Sequence, residues 1–141
     1  MTSTVGDAMT IVLHTCKRSE TLDRAAKLMW EHDCSEVPVI DDDGFLVAMV
    51  SDRSACTCAY TQGKALSQIP VMCAAFDSVR AVRAEDSLDS AHELMRKHNV
   101  RCLPVVDRTG RLIGILSITD VIRATSLQGE PRFSSKSIQT R

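Results

Sequence analysis

Aromatic side chains are scarce in this chain, with one tryptophan, one tyrosine and three phenylalanines among 141 residues. Trp30 and Tyr60 are too few for the ladder of stacking rings on which single-stranded nucleic acid is held. An excess of one charge is also missing, since 17 Lys and Arg stand against 18 Asp and Glu, for a net charge of −1. That balance leaves no electrostatic footprint for nucleic acid or an anionic membrane, and neither is expected as a partner. No run approaches the roughly 18 apolar residues of a membrane helix. Met1 to Thr10 lacks the basic flank and apolar stretch of a secretory signal. The expectation is a cytoplasmic protein whose six cysteines stay reduced.

What the chain does have is ordinary globular content, 44% hydrophobic and 25% charged residues, and an internal repeat. Residues 20–54 lie over 86–120 at a constant offset of 66, with twelve identities in thirty-five positions and no gap. They run from Leu22/Leu88, Asp23/Asp89 and Ala25/Ala91 through Pro38/Pro104, Val39/Val105 and Gly44/Gly110 to Ser51/Ser117. Leu22, Ala25, Ala26 and Met29 recur at helical spacing, with Thr21 as N-cap and Asp23 at the positive end of the dipole. Arg96, Lys97 and His98 suit the other end of the second copy. Val37 to Ile40, Asp41 to Gly44 and Phe45 to Val50 read as strand, tight turn, strand. Leu103 to Val106 and Leu112 to Leu116 repeat this around Gly110, and Ser51 and Ser117 look like N-caps of a further helix.

Each repeat thus predicts strand, helix, strand, strand, helix, too short to bury its own sheet. Two copies packed sheet to sheet make a pseudo-symmetric α+β module. The expected boundaries are 1–66, 67–126 and a flexible tail over 127–141, where Gly129 and Pro131 interrupt a polar run. Residues 55–70 are expected to connect the halves, with Gly63 and Pro70 as breakers.

The run Leu103-Pro104-Val105-Val106-Asp107, Gly110 and Leu112 to Asp120 resembles the signature of the cystathionine β-synthase (CBS) domain. Asp7-Ala8-Met9-Thr10 looks like the short opening motif of such repeats. The resemblance covers about residues 5–125 and implies a Bateman module. Such a pair binds adenosine derivatives (AMP, ADP, ATP, S-adenosylmethionine or NAD-type molecules) in clefts between its sheets and often forms flat dimers.

The resemblance assigns phosphate and ribose to Ser117, Thr119 and Asp120. A helix start offers unpaired N–H groups and positive potential to a phosphate, two hydroxyls add donors, and a carboxylate accepts from both hydroxyls of a ribose. Ser-x-x-Asp is equally a capping box that needs no ligand. The base is expected against Val82 and the Cys102-Leu103-Pro104 segment, positions that an ordinary core also explains. In the first repeat Ala48 replaces the glycine matched by Gly114, and Ser54 stands where Asp120 stands, so that site is weakened, altered or empty. Arg53 beside it either reaches a phosphate in the neighbouring cleft or sits on a solvated face.

The other candidates carry less. Cys56 and Cys58 lie two apart on a helix and point to different faces, which disfavours chelation. Asp41-Asp42-Asp43-Gly44 lacks the later glutamate of a calcium loop. His32 and His98 complement helix ends, and His92, Cys34, Cys73 and Cys102 show no nucleophile–base spacing. The reading is a regulatory module rather than an enzyme, with no required cofactor. It binds an adenosine derivative in the second cleft, pairs as a homodimer and signals to a separate, unidentified protein. Two rivals stand beside it: a ligand-free structural or dimerisation module, and a cysteine-based redox or metal sensor.

Overall fold

In the computed structural model, which describes residues 3–11, 14–76 and 80–128, local capping begins the chain. Thr4 and Asp7 exchange backbone-to-side-chain hydrogen bonds of 3.0 and 3.3 Å, a capping box that starts the one-turn helix α1 (Val5–Ala8). The first repeat follows as β1 (Cys16–Lys17), α2 (Leu22–His32), β2 (Glu36–Ile40), β3 (Leu46–Ser51) and α3 (Asp52–Gln62). Two 3₁₀ turns, Leu66–Gln68 and Val71–Cys73, lead to β4 (Val82–Arg83), α4 (Leu88–His98), β5 (Cys102–Val106), β6 (Leu112–Ser117) and α5 (Ile118–Gln128). Strand, helix, strand, strand, helix occurs twice, as the repeat predicts.

The helical stripes bury Leu22, Ala25, Leu28 and Met29 on α2, and Leu88, Ala91 and Met95 on α4. Both helices end on a left-handed residue, Asp33 at φ 51° and Asn99 at φ 55°, short polar side chains that tolerate that conformation. Thr21 is the N-cap of α2 by position, but its side chain makes no capping bond. Its hydroxyl is taken instead by the carboxylate of Asp23. The connection expected over 55–70 is largely helical, because α3 runs on to Gln62 before Gly63 ends it. Helix α5 likewise extends to Gln128, into the expected tail, whose remainder lies outside the described residues.

Two three-stranded sheets result, ordered β1-β2-β3 and β4-β5-β6. In each, the first pair is parallel and the second antiparallel, and both antiparallel pairs slip register at equivalent points, Val39/Ile40 and Val105/Val106. Gly44 and Gly110 turn the two hairpins at φ 88° and 100°, a conformation open to glycine at little cost. The hairpin tips then pair with one another. Leu46 donates to the Gly110 carbonyl at 3.1 Å, Leu112 donates to that of Gly44 at 3.0 Å, and the Arg111 guanidinium lies 5.2 Å from the Phe45 ring centre.

The cores do not follow the order of the chain. Val5 is buried with Val82, Leu88, Met95, Leu103 and Leu116 of the second half, while Ile69, Val71 and Ala74 are buried with Leu22, Val37 and Val50 of the first. Each half is closed by the segment that precedes the other. The backbone bonds make the exchange explicit. Val5 donates to Asp86 and Val71 to Glu20, both at 2.9 Å, and Leu88 donates to Ser3 and Leu22 to Ile69, both at 2.9 Å.

The same exchange accounts for the glycine that the first repeat lacks. Thr10 pairs with Ile115 on β6, and Phe76 with Met49 on β3. A Cβ at Gly114 would lie 2.8 Å from the Met9 sulfur and 3.1 Å from the Thr10 carbonyl. Ala48 carries that methyl group in the first half and is 1% exposed, because the residue equivalent to Met9 there is the smaller Ala75. Gly114→Ala is expected to cost about 1–3 kcal/mol, and adding Met9→Ala to recover part of the loss, read from denaturant midpoints. An unimpaired single variant would refute the close approach.

Candidate functional site

The start of α5 is built by its own sequence. Ser117 ends β6, and its N–H donates to Asp120 Oδ2 at 3.0 Å while the Asp120 N–H donates to Ser117 Oγ at 3.1 Å. The capping box is therefore formed. The Ile118 N–H donates to the Arg101 carbonyl at 2.9 Å. The Thr119 N–H has no acceptor among the described residues, and the Thr119 side chain is exposed. Those two groups, at the positive end of the helix, are what an anion finds there.

Asp120 does more than cap. It is 4% exposed, and its carboxylate also accepts from the Thr10 hydroxyl at 3.3 Å to each oxygen and from Arg123 Nη1 at 3.1 Å. Burial of a charge is tolerated because cation, hydroxyl and amide donors converge on it. Helical spacing, three residues from Asp120, was the available signal for Arg123. Thr10 is 110 residues away, and only the fold brings it there.

The first half repeats the box without the charge. Ser54 donates its N–H to Ser51 Oγ at 2.9 Å, and the Ser51 N–H donates to Ser54 Oγ at 3.0 Å. At the offset of 66, Phe76 replaces Thr10 and Thr57 replaces Arg123. The cleft beside this helix start, about 510 Å³, is lined by Arg53, Ser54, Thr57, Thr61 and Phe76 among others. It offers hydroxyls and a ring where the second half offers an acid.

The remaining candidates divide into core and rim. Val82 is 4% and Leu103 1% exposed, and both side chains lie in the second hydrophobic cluster. Val82 pairs with Val105, and the buried Pro104 pairs with Ile115. Cys102 is half-buried at the inner end of β5, opposite Ser117. Arg53 is exposed and lines the first-half cleft together with Ser54.

Glu36, which sequence reasoning passed over, is the residue equivalent to Cys102, and the Cys102 thiol points to Glu36 Oε1 at 4.0 Å. Burial, with Asp52 adding to it, pushes the Glu36 carboxyl up to about 7. Burial likewise raises the thiols of Cys34 and Cys102 and lifts Cys16 to about 11, which suppresses the reactive thiolate form. Cys56 is exposed and Cys58 buried, on different faces as their spacing predicts. Among the described residues no group of three His, Cys, Asp or Glu could hold a metal ion, and no helix is long and apolar enough to cross a membrane. His32 stacks on His14 with ring centres 3.4 Å apart. Burial, then the His32 charge, makes His14 harder to protonate.

Comparison with known proteins agrees with this architecture. The CBS-domain family model matches residues 5–57 and 66–126. The CBS domain-containing protein YhcV of Bacillus subtilis is 33% identical over 119 residues, 84% of this chain and 83% of YhcV. The crystal structure of CBSX2 in complex with AMP is 37% identical, with a TM-score of 0.78 over 89% of this chain and 97% of that one. Hypoxic Response Protein I, solved with two coordinated zinc ions, is 30% identical with a TM-score of 0.77 over 86% of this chain and 98% of that one.

The raised Glu36 carboxyl has a consequence for stability. Its folded-state value lies above the ordinary 4.5, so the folded state holds this proton more tightly than the unfolded chain. That contribution is complete below pH 4.5 and is lost as pH rises through about 7. Glu36→Gln should therefore gain stability relative to the parent as pH is raised from about 5 to about 8, seen as a melting-temperature difference that widens in the variant's favour. A constant difference would mean that the carboxyl is not desolvated.

Proposed function

The chain belongs to the CBS-domain family, and on that footing we propose a regulatory, non-catalytic module that binds an adenosine derivative in the second-half cleft. The observation that carries the reading is the buried Asp120 carboxylate beside the open Thr119 N–H. An acceptor for a ribose diol and a donor for a phosphate adjoin on one helix start. The AMP complex of CBSX2, at 37% identity, supports adenosine as the ligand class.

In this reading the ribose hydroxyls donate to Asp120 and displace the hydroxyl of Thr10. The phosphate takes Thr119 and Ser117, and the base lies along the Cys102-Leu103-Pro104 segment toward its Pro104 end, the end nearer Val82. Val82 and Leu103 serve through their main-chain groups, since their side chains are committed to the core. Arg53 reaches in from the first-half rim. Displacing Thr10 shifts the equilibrium of the N-terminal segment that closes the second half, and the signal passes to a separate protein in the cytoplasm. No cofactor is needed for the fold.

The module also pairs with itself. Trp30 and Tyr60 are 86% and 85% exposed on either side of an apolar groove of about 710 Å³, between α2 and α3, that also holds Met29, Ala55 and Leu66. Two bulky rings left in water beside such a groove mark a contact surface, and a two-fold homodimer is the simplest closed assembly.

AMP at about ten times its Kd should add roughly 1.4 kcal/mol of stability, a shift of a few degrees in a thermal melt. A panel of AMP, ADP, ATP, S-adenosylmethionine and NAD that moves nothing would end the ligand reading. Asp120→Ala should lose about ten- to a hundredfold in affinity, while Ser54→Ala keeps it. Asp120→Asn, which retains an oxygen for the cap, separates binding from folding. Equal losses at positions 120 and 54 would refute the asymmetry. Light scattering should give twice 15.5 kDa for the parent and the single mass for Trp30→Glu. A parent that stays monomeric at every concentration would exclude the dimer.

A further inference from the structure

The inner ends of β2 and β5 carry equivalent positions with unlike chemistry, Glu36 in one and Cys102 in the other. Each pairs across its hairpin with the N-cap of the next helix, Glu36 with Ser51 and Cys102 with Ser117. The contact of 4.0 Å between Cys102 Sγ and Glu36 Oε1 therefore sets a carboxyl group between the starts of α3 and α5. Two helix N-termini favour an anion, and this acid opposes them. Asp52, in the first turn of α3, adds a second negative charge, as does Asp120 on the Cys102 side. The Cys34 thiol faces the same place and supplies no positive charge. Among the described residues no Lys, Arg or His forms an ion pair with Glu36. A half-buried acid in that position is costly unless it is protonated or does something for a ligand.

We propose that Glu36 is a specificity-determining residue of the second-half cleft, limiting the negative charge carried past Ser117 so that a nucleoside monophosphate is preferred over di- and triphosphates. The inference rests on the adenosine reading and deepens it. The first phosphate sits at the α5 start, where the Thr119 N–H and the helix dipole compensate it. Ser117 and Cys102 are cross-strand neighbours, about 5 Å apart between Cα atoms, and Glu36 touches Cys102. Each additional phosphate advances toward that acid, where like charges at short range are penalised. The cysteine at the equivalent position carries no such charge, because burial holds its thiol protonated.

Calorimetric titration of AMP, ADP and ATP at pH 8, where Glu36 is ionised, tests this. The parent should bind in the order AMP, ADP, ATP. Glu36→Gln should raise ATP affinity about tenfold, ADP affinity less, and leave AMP within about twofold. Asp52→Asn, at an exposed position, should move ATP the same way by a smaller factor and serves if Glu36→Gln does not fold. A parent that binds ATP as tightly as AMP overturns the proposal, as do variants that change all three ligands equally. If no adenosine compound binds the parent, the underlying reading fails and this falls with it. If all bind with ratios untouched by Glu36→Gln, this proposal alone fails.

Discussion

Everything in this molecule depends on the exchange of lead segments between its halves. A two-stranded hairpin, one short parallel strand and two helices leave a sheet with an open edge and an incomplete core. Residues 3–11 supply both to the second half, and residues 66–76 supply both to the first, through pairs of backbone hydrogen bonds that match at an offset of 66. Val5 and Val71, equivalent by that offset, are each 0% exposed. Neither half possesses its complete core within its own stretch of chain, so the two form one cooperative unit.

Within that symmetric backbone the side chains have diverged in sets rather than singly. Gly114 faces Met9, whereas the equivalent positions of the first half carry Ala48 and Ala75, with the same strand pairing beside them. Asp120, Thr10 and Arg123 form a charged network where Ser54, Phe76 and Thr57 form a cap, a ring and a hydroxyl. The helix start is capped in both halves. What differs is what is left over once the cap is satisfied, a buried carboxylate in the second half and hydroxyls in the first.

The geometry also links the proposed site to the rest of the module. Asp120 is held by the cap, by Arg123 and by the lead segment, and a ligand that competes for its lone pairs competes with Thr10. The tie to the lead segment is a hydrogen bond of 3.3 Å, long for a hydroxyl donor and so among the weaker of those that hold Asp120. Glu36 and Cys102 also bring the two halves into contact at 4.0 Å, joining the first strand of one hairpin to that of the other. The aromatic face is equally one-sided, since Arg96 and Ser126 stand where Trp30 and Tyr60 do.

The sequence by itself determined the repeat, the order of elements and the positions of the turns. These are consequences of local chemistry: helical and alternating apolar spacing, glycine where φ must be positive, Ser117 and Asp120 at cap spacing. It also made visible that Ser54 breaks the match to Asp120. Tertiary structure decided what no local pattern encodes. Two local outcomes also lay beyond spacing, the end of α2 on Asp33 and the loss of the Thr21 cap to Asp23, both matters of short-range competition. Thr10 at Asp120, Met9 over Gly114 and Glu36 against Cys102 join residues 66 or more positions apart. Those contacts exist only because each half borrows its closing segment from the other, and the sequence repeat, identical in both possible arrangements, does not say which half a segment will close.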